Sequence, residues 1–197
     1  MAKKTIKKNY TTWTGTSKQD KVYIDDADYV KVNTGAGNDS IKNGSDYAWW
    51  STIDAGDGDD TIAFDSAQES SINAGAGNDK ISLSGGSYLT VKGGKGNDTV
   101  YTSAHKNLYQ YASGDGNDVI YNWGAGDTIS ITGGTYTKTT SGSDVILTVG
   151  KGKITLVGAN GKDFTIKGTL AGGGKNFIVI HSVSPQYRVV ILTWSII

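Results

Sequence analysis

The stretch Ala74-Gly75-Ala76-Gly77-Asn78-Asp79-Lys80-Ile81 decides how this chain is read, because it recurs. The same grammar of two glycines, an aspartate and an apolar residue stands at Gly35, Gly37, Asp39 and Ile41, and at Gly56, Gly58, Asp60 and Ile62. It returns at Gly94, Gly96, Asp98 and Val100, and at Gly114, Gly116, Asp118 and Ile120. Steps between the first glycines (Gly35, Gly56, Gly75, Gly94, Gly114) are 21, 19, 19 and 20 residues. Repetition at such a period marks a stacked repeat architecture. Between the copies lie alternating runs, such as residues 61–64, 80–83, 89–91 and 109–111, with the period and residue types of strands. No segment has helical periodicity. About 20 residues hold two turns and two short strands, so one repeat predicts one coil. The expected fold is all-β: a parallel β-solenoid with coils of about 20 residues and a β-rich C-terminal cap.

Working outward, residues 15–22 keep the aspartate (Asp20) and the apolar position (Val22) but lose a glycine. Residues 124–129 are one residue short of the pattern. Both read as worn end copies, as expected where a stack must stop. The strand-like runs at 129–131, 145–149, 154–157 and 164–166 read as continued β-structure that closes the stack. This divides the chain into a basic arm (1–14), the aspartate-loop repeats (15–126) and a cap (127–197).

Composition agrees. The 197 residues include 28 glycines and one proline, and the glycine share is about double the usual value. There are 18 aspartates against the single glutamate Glu69. Aspartate suits turns and compact oxygen cages for hard cations, whereas long helices favour glutamate. The chain carries no net charge, yet residues 34–120 hold 11 aspartates and Glu69 against five lysines, a balance of −7. That excludes nucleic acid as the main partner of this segment and favours a bound cation. Lys3, Lys4, Lys7 and Lys8 read as a solvated arm or as a contact for something acidic. The absence of cysteine removes disulfides and thiolate sites.

Parallel coils stack about 4.8 Å apart, so Asp39, Asp60, Asp79, Asp98 and Asp118 should form a carboxylate ladder. Two carboxylates at that distance repel by roughly 3–4 kcal/mol at an effective dielectric of about 20. A divalent cation between each pair reverses the sign. The glycines allow backbone that turns carbonyl oxygens toward such an ion, and Ca2+ accepts a mixture of carbonyl and carboxylate ligands. Several Ca2+ ions are therefore expected, held at Gly35, Gly37, Asp39, Gly56, Gly58, Asp60, Gly75, Gly77, Asp79, Gly94, Gly96, Asp98, Gly114, Gly116 and Asp118. An ordinary set of unliganded turns is the competing reading of any one copy. The opposite turns share no ligand pattern and are expected to be metal-free.

Residues 93–101 match in full the nonapeptide Gly-Gly-x-Gly-x-Asp-x-apolar-x. The chain resembles the RTX, or hemolysin-type, calcium-binding repeat family over about residues 15–168. In the other copies Thr34, Ala55, Ala74 or Ser113 replaces the first glycine. The resemblance implies a parallel β-roll, bacterial origin, export read from an uncleaved C-terminal signal, and folding driven by extracellular calcium. Family members usually carry back-to-back nonapeptides and ions on both sides, whereas alternate turns here have lost the motif.

No catalytic constellation stands out: His105 and His181 lie in unrelated segments, and neither His-Glu-x-x-His nor Gly-x-Ser-x-Gly occurs. A non-enzymatic module is expected, structural or surface-interacting. Its alternatives are a glycan-binding adhesin or the C-terminal part of a larger secreted enzyme or toxin. The aromatics Tyr47, Trp49, Trp50, Phe64, Tyr88, Tyr101, Tyr109, Tyr111, Tyr121 and Trp123 would serve the adhesin reading if they shared one face, and otherwise fill gaps. The apolar tail, 177–197, is too short and interrupted for a bilayer span and reads as an export signal or a capping strand pair.

Overall fold

The computed structural model describes residues 1–44, 48–124, 126–162, 164–172 and 175–180. The tail beyond Ile180 and the residues around Tyr47 lie outside them, so the export-signal reading does too. Among the described residues there is no helix. The chain winds into a β-solenoid whose two walls are parallel ladders.

The first wall stacks Lys3–Ile6, Lys21–Ile24, Ser40–Asn43, Thr61–Phe64, Lys80–Leu83, Thr99–Thr102, Asn117–Tyr121 and Gly152–Leu156. The second stacks Thr12–Thr16, Lys31–Gly35, Thr52–Asp57, Ser71–Ala76, Thr90–Lys95, Leu108–Ala112, Thr128–Ser141 and Phe164–Leu170. The stack thus begins before residue 15, inside the segment read as a basic arm.

Alternation explains the packing, because in a strand every second side chain faces the core. Val22, Ile41, Ile62, Ile81, Val100, Ile120 and Leu156 form one buried column, each paired in register with the next. Val32, Ile53, Ile72, Val91, Tyr109, Ile129 and Ile166 form the facing column. The two interdigitate into one continuous core. Every apolar residue expected two positions after an aspartate is in it.

The cap departs from simple coiling. Thr128–Ser141 starts in the second wall and runs on into an antiparallel pair with Asp144–Val149, which pairs antiparallel with Gly152–Leu156. That last strand returns to the first wall and sets Ile154 opposite Asp118. Phe164–Leu170 adds one more rung and pairs antiparallel with Lys175–Ile180.

The edge away from the aspartates is closed by a second column. Tyr10, Tyr29, Trp50, Glu69, Tyr88 and Lys106 all have φ between 50° and 60°, at the same point of successive turns. The N–H groups of Tyr10, Tyr29, Trp50 and Glu69 donate to Asp28, Trp49, Gln68 and Ser87, one coil on. Left-handed backbone costs a non-glycine residue about 1–2 kcal/mol, and ring stacking offsets part of it. Tyr10 stacks on Tyr29 at 4.7 Å and Tyr29 on Trp50 at 5.0 Å, with planes within 12°. Trp50 Nε1 then donates to Glu69, and the Lys106 ammonium lies 5.5 Å from the Tyr88 ring. Replacing Tyr29 with alanine should lower stability by about 1–3 kcal/mol by equal amounts with and without calcium. A calcium-dependent loss in thermal melts would show that this edge is coupled to the other.

Candidate metal centre

Each loop reverses the chain with two left-handed glycines, and the stack leaves no room for a side chain on the first. Gly75 has φ +115°, and a Cβ there would lie 1.9 Å from the carbonyl oxygen of Gly56. The same contact recurs between Gly56 and Gly35 and between Gly94 and Gly75. These carbonyls therefore point along the stack at the next coil. Gly75→Ala is expected to cost at least about 3 kcal/mol, a fall of about 6–12 °C in melting temperature. An unchanged melt would mean that the loops are not packed as described.

The aspartates turn inward. Asp39, Asp60, Asp79 and Asp98 are at most 3% exposed and Asp118 is 8% exposed. The Oδ1 atoms of Asp39, Asp60, Asp79, Asp98 and Asp118 accept the N–H groups of Asp20, Asp39, Asp60, Asp79 and Asp98, at 2.6 to 3.0 Å. Asp20 belongs to the ladder too: its oxygens take the N–H groups of Ala2 and Thr16. At four rungs one oxygen is left over. The Oδ2 atoms of Asp39, Asp60, Asp79 and Asp98 are buried without any hydrogen-bond donor.

Burial leaves the carboxylates reluctant to ionise, and neighbouring carboxylates add to it. Burial is the largest influence on each, raising Asp60 to about 6, Asp79 to about 7, Asp98 to about 6 and Asp118 to about 8. Asp39 is raised as well. At Asp20 burial pushes upward, but the donors Ala2 and Thr16 outweigh it and the carboxyl is lowered.

Beside this ladder runs a second one that the sequence reading missed. The side-chain oxygens of Asn38, Asp59, Asn78 and Asn97 accept the N–H groups of Asp59, Asn78, Asn97 and Asn117 in the following coil. Its bonds run in the opposite sense to those of the aspartate ladder, so each turn is clamped from both neighbours. The one signal was the amide or acid repeated just before every aspartate.

Two expectations need correction. Gly114 does not stand in the column of first glycines: a Cβ there would meet nothing within 4 Å. Strand register runs 18 residues apart at Lys92↔Gln110 but 20 apart at Gly96↔Gly116, so Ser113 and Gly114 form a two-residue bulge. Residues 124–129 are not a worn metal loop either. Asp127 stands just before its second-wall strand, at the opposite edge, where its carboxylate accepts the N–H groups of Asn107 and Gly124. The gap left by the bulge is visible inside, where a void of about 20 Å³ touches Gly93, Tyr111, Asp98 and Asp118.

The aromatic residues do not share one face. Phe64, Tyr109, Tyr111 and Trp123 are buried in the core, Tyr101 and Tyr121 stack on each other, and Trp50 and Tyr88 stand in the left-handed column. In the Tyr10–Tyr29–Trp50 stack, the rings cover one another's faces, so no sugar fits between them.

The residues fit a hard cation better than a soft one. No group of three or more His, Cys, Asp or Glu side chains converges among the described residues, so an ion would take carboxylates in pairs and complete its shell from carbonyls or water. A zinc cage needs more nitrogen or sulfur ligands than the loops hold.

No family model matches the chain, and no curated protein matches it. Among solved structures it is similar to the extracellular lipase LipA from Serratia marcescens, with 16% identity and a TM-score of 0.43. The likeness covers 73% of this chain and 37% of that one. No helix among the described residues is long and apolar enough to cross a membrane.

Proposed function

We propose that the chain is a calcium-binding β-roll module of RTX type whose folded state Ca2+ stabilises, serving outside the cell in a structural or surface-interaction role. The four buried Oδ2 atoms support this reading most directly. A buried anionic oxygen without a donor requires a proton or a cation. Asp39, Asp60, Asp79, Asp98 and Asp118 would hold the ions, with loop carbonyls of Gly35, Gly37, Gly56, Gly58, Gly75, Gly77, Gly94, Gly96 and Gly116. Calcium would supply positive charge there, which the chain's own groups do not. Gly114, in the bulge, is dropped from the set.

The chain's contribution is preorganisation. The aspartate ladder holds Asp39, Asp60, Asp79 and Asp98 with one oxygen engaged and the other without a donor, so an ion would meet ligands already in place. Weak sites of extracellular type, about 10⁻⁴ to 10⁻³ M, would leave the loops empty in a low-calcium cytosol and fill them outside. Calorimetric titration of metal-stripped protein, together with circular dichroism, tests this. Several ions per chain and a gain of strand signal are expected. No heat and no spectral change in millimolar calcium would refute it.

A further inference from the structure

We propose that the outward face of the first three coils binds an acidic polysaccharide. Lys3, Lys4, Lys21 and Lys42, with Tyr23 and Ser40, line a shallow depression of about 340 Å³ to which no carboxylate contributes. Register places Lys3 beside Lys21, and Tyr23 beside Lys42. Like charges directly opposite each other on a sheet are destabilising. None of these lysines is in an ion pair among the described residues, where Lys7 and Asp25 form the one such pair, at 3.0 Å. No ion pair among the described residues offsets that repulsion.

Tyr23 adds a second recognition element. It is 41% exposed and has no stacked ring among the described residues. Its hydroxyl reaches the next coil, where a Cβ on Gly44 would lie 2.8 Å from it. The ring thus reaches along the stack beside Lys42 and next to the row of Lys3 and Lys21, whose coils lie about 4.8 Å apart. That spacing is close to the length of one pyranose unit, so successive acid groups would meet lysines of successive coils while a sugar ring covers Tyr23. Charge along the axis guides the polymer to this end: residues 1–33 carry seven lysines against four aspartates, or +3, whereas residues 34–120 carry −7. A lipid surface would use the lysines without needing the ring.

The inference does not rest on calcium occupancy. The test uses the full chain at one fixed calcium concentration, with a heparin octasaccharide as probe and phosphatidylglycerol vesicles as the competing arm. Lys21→Ala with Lys42→Ala should weaken octasaccharide binding roughly five- to tenfold, and Tyr23→Ala roughly three- to tenfold. Lys151→Ala with Lys162→Ala, exposed lysines of the cap, should change nothing. Circular dichroism of each variant separates lost binding from lost fold. Equal loss in the cap variant would show diffuse attraction and overturn the proposal. So would an inert Tyr23→Ala combined with tight vesicle binding.

Discussion

Asp79→Asn is expected to act in opposite directions with and without calcium. In wild type, Asp79 Oδ1 accepts the N–H of Asp60, and its Oδ2 is buried without a donor. Asparagine keeps the accepting oxygen and removes the charge. In metal-free buffer at pH 8, above the value of about 7 to which burial raises Asp79, the variant should equal or exceed wild type. In calcium the sign reverses, because the rung now presents an amide N–H₂ where a carboxylate oxygen is needed. Asp79 faces Asp60 on one side and Asp98 on the other, so two sites suffer. At a calcium concentration near 100 times the dissociation constant, each site contributes about 2.7 kcal/mol, or about 5 kcal/mol for two. The melting temperature should fall by about 10–20 °C. Equal losses in both buffers would place the aspartate's importance in its hydrogen bond and remove the metal from the account. Asp79→Ala provides the contrast, since it strands the Asp60 N–H and should destabilise in both.

The pH dependence of the metal-free protein should run opposite to that of ordinary carboxylate-stabilised domains. Folded-state values for Asp60, Asp79, Asp98 and Asp118 are about 6, 7, 6 and 8, all above the unfolded value near 4. The folded state thus binds more protons than the unfolded one, and stability falls as pH rises. The contribution is complete below the unfolded value and is lost progressively as pH climbs through 6 to 8. Asp127, raised to about 6 chiefly by burial, acts in the same direction. Asp20 is lowered and acts the opposite way, losing its contribution as pH falls through its folded value. Calcium replaces the protons, so the same melts in calcium should stay flat or rise across this window. A metal-free protein that gains stability from pH 6 to 8 would contradict the buried ladder.

Both results depend on a ladder whose members were identifiable before any coordinates. A step of 19 to 21 residues between Gly35, Gly56, Gly75 and Gly94 is enough to place Asp39, Asp60, Asp79 and Asp98 one above another, because a coil of nearly constant length returns equivalent residues to the same edge. The inward column from Ile41 to Ile120 follows from strand alternation in the same way. The neighbouring ladder of Asn38, Asp59, Asn78, Asn97 and Asn117 has the same period. It was overlooked because spacing alone does not tell which backbone group a side-chain oxygen will meet.

Local pattern determined the period, the strands, the loop backbone and the residues of the acidic edge, since these depend on bonds and steric limits within a few residues. Register and side-chain direction were decided by the tertiary structure. The bulge at Ser113 and Gly114 exists because strand Leu108–Ala112 and loop residue Gly116 both hold register with the preceding coil while two extra residues lie between them. Asp127 lies on the far edge because Ile129 pairs with Tyr109, whatever its own flanking glycines suggest. The column from Tyr10 to Lys106 keeps no single residue type: Tyr10, Tyr29 and Tyr88 share it with Trp50, Glu69 and Lys106. What its members share is a left-handed backbone, tied at Tyr10, Tyr29, Trp50 and Glu69 to the next coil by bonds that join residues about 20 positions apart.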